Sequence, residues 1–394
     1  MKTRSIGFAF SLVGLLLLCN ACRRGNMMVV NNGDYKLTIR YDGDIEISDD
    51  ETDIESISPH GYIKYNKNGS RMYAEGNNHG DVSYDLSLNG HEVDPDSQEG
   101  KTFIALAIKD MIDAGFDAEG RMQRLYKKGG KQALLTAVDK LNGDYIKRMY
   151  LEWLLENTDL SNEEMVAIAN KTERQIESAY DKSTLLSNHA DKFFRDSAST
   201  SAWLAAVSTI HSDYDKANAL KKIMEEQLPR SQMQAALLSA ATVESDYDKA
   251  NILRTALEHN SYAKEDYDDM VKAIGSVNSS YDKKELLKEL VKGDIPTGEA
   301  FNSLMKCVNK VDGDYDKREV LMELASKNIA SEEDWTAFLQ TTSKLQSEYD
   351  KAEVMVECAK YIPHSDAMRE AYADAANTIK AEYDYGRVMQ AWRK

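Results

Sequence analysis

Between Leu135 and Trp392 the apolar positions fall into short helical stripes of two alternating kinds, which return with a fixed period. A Ser-Asp-Tyr-Asp-Lys phrase, or a near variant, separates the two kinds. Its tyrosines are Tyr145, Tyr180, Tyr214, Tyr247, Tyr281, Tyr315, Tyr349 and Tyr383, spaced 33 to 35 residues apart. Positions +5, +6, +9 and +10 from the tyrosine are mainly apolar. They are Ile252, Leu253, Ala256 and Leu257 after Tyr247, Leu286, Leu287, Leu290 and Val291 after Tyr281, and Val354, Met355, Cys358 and Ala359 after Tyr349. That spacing draws one stripe along a helix. Positions −10, −7 and −4 are Leu237, Ala240 and Val243 before Tyr247, Met305, Val308 and Val311 before Tyr315, and Leu135, Val138 and Leu141 before Tyr145. A first helix therefore precedes each phrase and a second follows it. The steady period predicts stacked helical hairpins, an α-solenoid of HEAT-like or tetratricopeptide-like kind, rather than one globular core.

The phrase itself predicts a helix start. Ser178, Ser212, Ser245, Ser279 and Ser347 stand at the N-cap, with Asp181, Asp215, Asp248, Asp282 and Asp350 three residues on. A hydroxyl there accepts from an orphan backbone N–H, and a carboxylate in the first turn meets the positive end of the helix dipole. Pro229, Pro296 and Pro363 follow their tyrosines by 14 or 15 residues, which places them in linkers or helix ends. A tyrosine at such a helix start packs its ring between hairpins in the plainer reading. The alternative is a ladder of rings on a binding face.

Before the repeats the period changes to two. Tyr35 to Tyr41, Ile45 to Ile47, Gly61 to Tyr65, Arg71 to Ala74 and Val82 to Leu88 alternate, separated by the hairpin dipeptides Asp42-Gly43, Asn68-Gly69 and Asn89-Gly90. A small antiparallel sheet is expected. Phe103, Ile104, Ala107, Ile108, Met111 and Ile112 then form a broad apolar helix face suited to covering it, and Gly129-Gly130 lead into the first repeat. The expected organisation is a leader at 1–21, a tether at 22–34, an antiparallel β domain at 35–100, linking or capping helices at 101–130 and solenoid repeats at 131–394. The class is α+β, mostly α.

Composition narrows the setting. Lys2 and Arg4, an apolar run from Ile6 to Leu18 and Cys19-Asn20-Ala21-Cys22 read as an export leader whose cleavage leaves Cys22 as a lipidated first residue. The expected location is the bacterial cell envelope, lipid-anchored, facing the periplasm or the cell surface. The formal charge of −17 becomes −19 once the leader's two cations are removed, which disfavours nucleic acid and bare anionic membrane as partners. Beyond the leader only Cys307 and Cys358 remain. Cys358 lies on an apolar stripe, so a buried thiol is the plain expectation and a bridge to Cys307 the alternative.

Taken together, Asp53-Ile54-Glu55-Ser56-Ile57-Ser58-Pro59-His60-Gly61-Tyr62-Ile63, Ala118-Glu119-Gly120-Arg121-Met122, Gly129-Gly130 and the repeated phrase resemble the extracytoplasmic region of some BlaR-like sensor metallopeptidases. The same arrangement occurs in free-standing exported proteins. The resemblance covers Tyr35 to Lys394 and implies domain order, not activity. The peptidase domain with its His-Glu-x-x-His motif is absent, and His91-Glu92-Val93-Asp94-Pro95 has the wrong fifth residue.

Candidate chemistry is sparse. Asp312-Gly313-Asp314-Tyr315-Asp316 with Glu323 invites a calcium loop, yet Lys317 occupies the position where such a loop turns on glycine, so capping is favoured. Asp49-Asp50-Glu51-Thr52-Asp53 reads as a solvated turn. Arg121, Arg124, Lys127, Lys128 and Lys131 concentrate positive charge, either as solvated helix faces or as a dock for an acidic partner or lipid head groups. The histidines are scattered, and no nucleophile elbow or phosphate loop is present. No catalytic, cofactor or metal residue is therefore nominated. The leading expectation is a non-catalytic envelope lipoprotein that holds a protein or peptide partner on its repeats. The alternative is an extracytoplasmic sensor module passing a ligand signal to a membrane partner, and a hydrolase is the third reading.

Overall fold

A strand turns successive side chains to opposite faces, and the alternating segments do form strands. The computed structural model describes residues 26–31, 36–259 and 267–393. The chain divides into two compact units, one ending at Tyr150 and one beginning at Leu151. The first contains β1 (Asn26–Asn31), β2 (Lys36–Asp42), β3 (Ile45–Ile47), β4 (Ile54–Ile57), β5 (Tyr62–Lys67), β6 (Ser70–Gly76), β7 (Val82–Leu88) and β8 (His91–Val93). β1-β2-β5-β6-β7-β8 form one antiparallel sheet in that order, and β3-β4 form a separate pair.

Leu37, Ile39, Ile63, Tyr65, Met72, Ala74 and Leu86 are the buried face of the main sheet. Helix α1 (Gln98–Asp113) buries Phe103, Ile104, Ala107, Ile108, Met111 and Ile112. The Tyr65 ring meets Phe103 edge-on at 6.0 Å, and its hydroxyl donates to Asp110 at 2.6 Å. The core of this unit thus includes the sheet and the helix expected to cover it. Helix α2 (Ala118–Val138) is broken at Gly129-Gly130, where Gly130 has φ 63°.

Two expectations are corrected. Residues 26–31, assigned to a tether, are strand β1, with Val29 paired to Thr38 and Met27 to Arg40. Asn68-Gly69 and Asn89-Gly90 do turn hairpins, with φ of 51° and 86°, and 50° and 89°. Asp42-Gly43 does not, because β2 pairs with β1 and β5 while β3 pairs with β4. Gly43, at φ 83°, instead carries the chain out of the main sheet against Ser58, whose hydroxyl accepts from the Asp44 N–H at 3.0 Å. The leader, including Cys22, lies outside the described residues. Among the described residues no helix is long and apolar enough to cross a membrane.

Helix α3 (Asp144–Asn157) carries the chain from the first unit into the second. The second unit contains α4 (Asn162–Gln175), α5 (Ala179–Asn188), α6 (Ala190–Phe193), α7 (Ser197–Ser208), α8 (Asp213–Met224), α9 (Arg230–Ala241), α10 (Asp246–His259), α11 (Tyr267–Gly275), α12 (Ser280–Leu290), α13 (Glu299–Asn309), α14 (Asp314–Ala325), α15 (Glu332–Ser343), α16 (Glu348–Cys358), α17 (Asp366–Ala376) and α18 (Glu382–Ala391). First helices pack in series, α4 on α7, then α9, α11, α13, α15 and α17. Second helices pack in series from α5 through α8, α10, α12, α14 and α16 to α18. Neighbouring units supply each other's dry surface, as a stacked repeat requires. The expected stripes are buried, including Leu237, Ala240 and Val243 on one side and Leu286, Leu287, Leu290 and Val291 on the other. Cys307 and Cys358 are buried free thiols, with burial pushing Cys307 up to about 11 and Cys358 higher still.

Candidate binding surface of the helical repeats

The phrase occupies the first turn of each second helix. Ser178, Ser212, Ser245, Ser279 and Ser347 accept from the N–H of the Asp three residues on at 3.2–3.3 Å. The predicted caps are therefore present. Other positions of the phrase do something the sequence reading did not anticipate, because they reach into the following unit.

The residue just before the tyrosine bridges to the next turn. Asp213 accepts from the N–H groups of Glu244 and Ser245 at 3.0 and 2.7 Å, and Asp246 from those of Asn278 and Ser279 at 2.9 Å each. Asp314 accepts from Gln346 and Ser347, and Glu348 from Lys380 and Ala381. The backbone donors from Ala381 and Lys380 hold the Glu348 carboxyl below its ordinary value. Asp314, once a calcium-loop candidate, is thus one rung of a repeated tie. In the first unit Asp113 does comparable work, accepting from Asn142 N and Nδ2.

The lysine two residues after the tyrosine is buried in most units, at 4–9% exposure for Lys182, Lys216, Lys249, Lys283 and Lys351. Each ammonium reaches the C-terminal end of the next first helix. Lys182 donates to Thr209 Oγ1 at 2.8 Å, Lys216 to Thr242 Oγ1 at 3.5 Å and Lys249 to the Ser276 carbonyl at 2.9 Å. Lys283 donates to the Lys310 carbonyl at 3.2 Å and Lys351 to Thr378 Oγ1 at 3.0 Å. A cation there meets the negative end of the helix dipole and open carbonyls. Burial lowers the Lys351 pKa, the nearby Glu348 and Asp314 opposing it.

The tyrosines do none of this. Tyr180, Tyr214, Tyr247, Tyr281, Tyr315, Tyr349 and Tyr383 are 55–78% exposed, and Tyr145 in the first unit is half-buried. The expectation that the rings pack between hairpins is corrected. At about 100° per residue, the apolar positions +5, +6, +9 and +10 centre on the side of the helix away from the tyrosine. Position +2 falls within that buried side, which explains the lysines. Because second helices pack in series, the seven rings recur at one place on each successive helix.

Some rings carry an internal cation. Arg148 stands 5.3 Å from the Tyr145 ring, Lys284 4.7 Å from Tyr281, Arg318 4.6 Å from Tyr315 and Arg387 5.9 Å from Tyr383. Lys284 also pairs with Asp316 at 3.3 Å, and Arg318 with Asp350 at 2.9 Å, both in the following unit.

Three cations of the first unit's basic cluster are held in ion pairs. Arg121 is buried and paired with Glu51 while donating to the Tyr150 hydroxyl. Arg124 pairs with Asp117 at 2.7 Å and Lys128 with Asp49 at 3.0 Å. The acidic turn at 49–53 therefore supplies partners for two of these cations. A different group stands on the outer face of the main sheet, where Arg40 lies directly opposite Lys64 and Arg71 occupies the next strand. Among the described residues none of the three pairs with a carboxylate, and they line a concavity of about 580 Å³ with Thr38, Asn66, Tyr73 and Asp85.

Among the described residues no cluster of His, Cys, Asp and Glu is arranged to hold a metal ion. No protein-family model matches the chain, and a search of the curated proteins finds no match.

Proposed function

We propose that this chain is a non-catalytic scaffold that binds a protein or peptide through the tyrosine row of its helical repeats. One observation carries the reading. In the repeated phrase the serine caps, the preceding acid bridges, and the lysine closes the next helix, whereas the tyrosine is exposed in seven units and has no comparable tie. Large exposed rings in a regular row are the kind of surface that marks a contact site. The leader-like start of the sequence supports placement in the bacterial envelope on a lipid anchor at Cys22.

The test is site-specific photocrosslinking in cells with a benzophenone amino acid at position 247, compared with position 238, an exposed place on a first helix. A discrete protein adduct from 247 and none from 238 is the expected result. Equal adducts from both, or none from either, would defeat the reading.

A second reading has its own support. The opposed Arg40 and Lys64 repel one another, and an anionic ligand in that concavity would relieve the repulsion. This suits a sensor whose sheet meets a ligand and passes the signal to a membrane partner. Arg40→Ala and Arg71→Ala would then silence a response while leaving crosslinking at 247 intact.

A further inference from the structure

We infer that the partner segment is cationic and extended, and that it seats Arg or Lys side chains at every third residue on the α5-α8-α10 end of the tyrosine row. The inference rests on the scaffold reading above.

The chain holds its own template for the contact. Lys284 lies against the Tyr281 ring and pairs with Asp316 of the next unit, and Arg318 does the same between Tyr315 and Asp350. A seat is thus a ring from one unit and a carboxylate from the next, filled by a cation from position +3 of the phrase. In the three preceding units position +3 is Ser183, Ala217 and Ala250, too short to fill it. The parts of the seat remain, as Tyr180 with Asp215, Tyr214 with Asp248, and Tyr247 with Asp282. Among the described residues no cationic side chain stands over these three rings or pairs with these three carboxylates. The rings are exposed and the carboxylates half-buried, so both parts of each seat can be reached from solvent.

Spacing and charge identify the occupant. Packed helices lie about 8–10 Å apart, and three residues of polyproline II chain rise about 9 Å, so side chains three apart meet successive seats. A chain of formal charge −17 draws such a segment in. A saccharide is the weaker match. It brings no positive charge to meet Asp215, Asp248 and Asp282, which the internal template pairs with a cation.

The experiment uses the full chain in detergent and fluorescein-labelled 15-residue peptides read by anisotropy. One peptide carries Arg at every third position with Pro and Ala between. A second has the same composition with its arginines contiguous, and a third replaces Arg by Glu. The first is expected to bind at least tenfold tighter than the second and to weaken with salt, and the third not to bind. Each exposed cation–π contact contributes a factor of about three to five, so Tyr180→Ala/Tyr214→Ala/Tyr247→Ala should weaken binding on the order of fiftyfold. The Phe triple should retain most of it. Asp215→Asn/Asp248→Asn/Asp282→Asn should also weaken it, whereas Leu238→Ala, on a first helix and off the row, should not. Circular dichroism controls for folding of every variant.

Equal affinity for both arginine spacings, or indifference to both vacant-seat triples, overturns the inference. Tyrosine-dependent binding of an uncharged or acidic peptide, or of an oligosaccharide in place of the arginine peptide, also overturns it. Crosslinking at 247 reports on the scaffold reading separately, so a protein adduct there with no preference for cations leaves that reading standing alone.

Discussion

In the sheet-bearing unit Arg121 meets Glu51 and Tyr150, a combination made once, whereas five lysines of the repeats make nearly the same contact in five of six successive units. Both arrangements bury a cation with partners, as a buried charge requires. They differ in what the loss of one member does. The first fastens the turn between β3 and β4 to two helices through one buried cation, and the only other tie described for that turn to α2 is the solvent-exposed Lys128–Asp49 pair, a weak substitute. The second spreads the same physics along a line, where a unit leans on its neighbours and a loss stays local.

Removing the singular cation should have the largest effect. Arg121→Ala leaves Glu51 and the Tyr150 hydroxyl without their donor, and about 3 kcal/mol of stability should go, read as a lower urea midpoint. A loss below a third of that would mean the pair is as dispensable as a surface one. Breaking a repeated tie comes next. Asp246→Ala strips two backbone N–H groups of their acceptor and should lose about 1.5 kcal/mol, with hydrogen exchange rising at Asn278 and Ser279 and not at Gln346. Exchange rising across the whole array would contradict the local character claimed for the repeats.

The acid limb offers a finer probe. Glu348 has its pKa held below the ordinary carboxylate value of about 4.3 by the N–H groups of Ala381 and Lys380. Its contribution is present above that ordinary value and is lost as pH falls through the lower folded-state value. Glu348→Gln should therefore flatten the stability curve of the native chain below about pH 4.3 and leave the slope at neutral pH unchanged. Smallest of all is Tyr247→Ala, which should shift stability by less than about 0.5 kcal/mol. A larger loss would show that the ring bears structural load after all.

How much of this was readable in advance follows from which forces act locally. The helical hairpins, the serine caps and the covering helix were legible because each depends on apolar period or on a residue and its near neighbours. The burial of Lys216 and the exposure of Tyr214 were legible in principle too, since +2 and 0 lie on opposite sides of the stripe. They were missed because the buried stripe was counted only from +5 onward, while the first turn was read for its caps and not for the side it faces. The bridges from Asp213 to Ser245 and from Lys249 to Ser276 span 27 to 32 residues and depend on how units stack, which no local pattern reports. Strand β1 carries Asn at both ends, and its pairing with β2 is set by neighbours distant from that pattern.

Each bridging acid and each buried lysine reaches toward the unit that comes later in the chain. Such one-way fastening makes the modules interchangeable: excising one whole period brings an equivalent turn and an equivalent helix end to the same acid and the same ammonium. Gene-level duplication or deletion of a module would change the number of rings on display without orphaning a single tie, so the length of the row can drift while the joint stays constant.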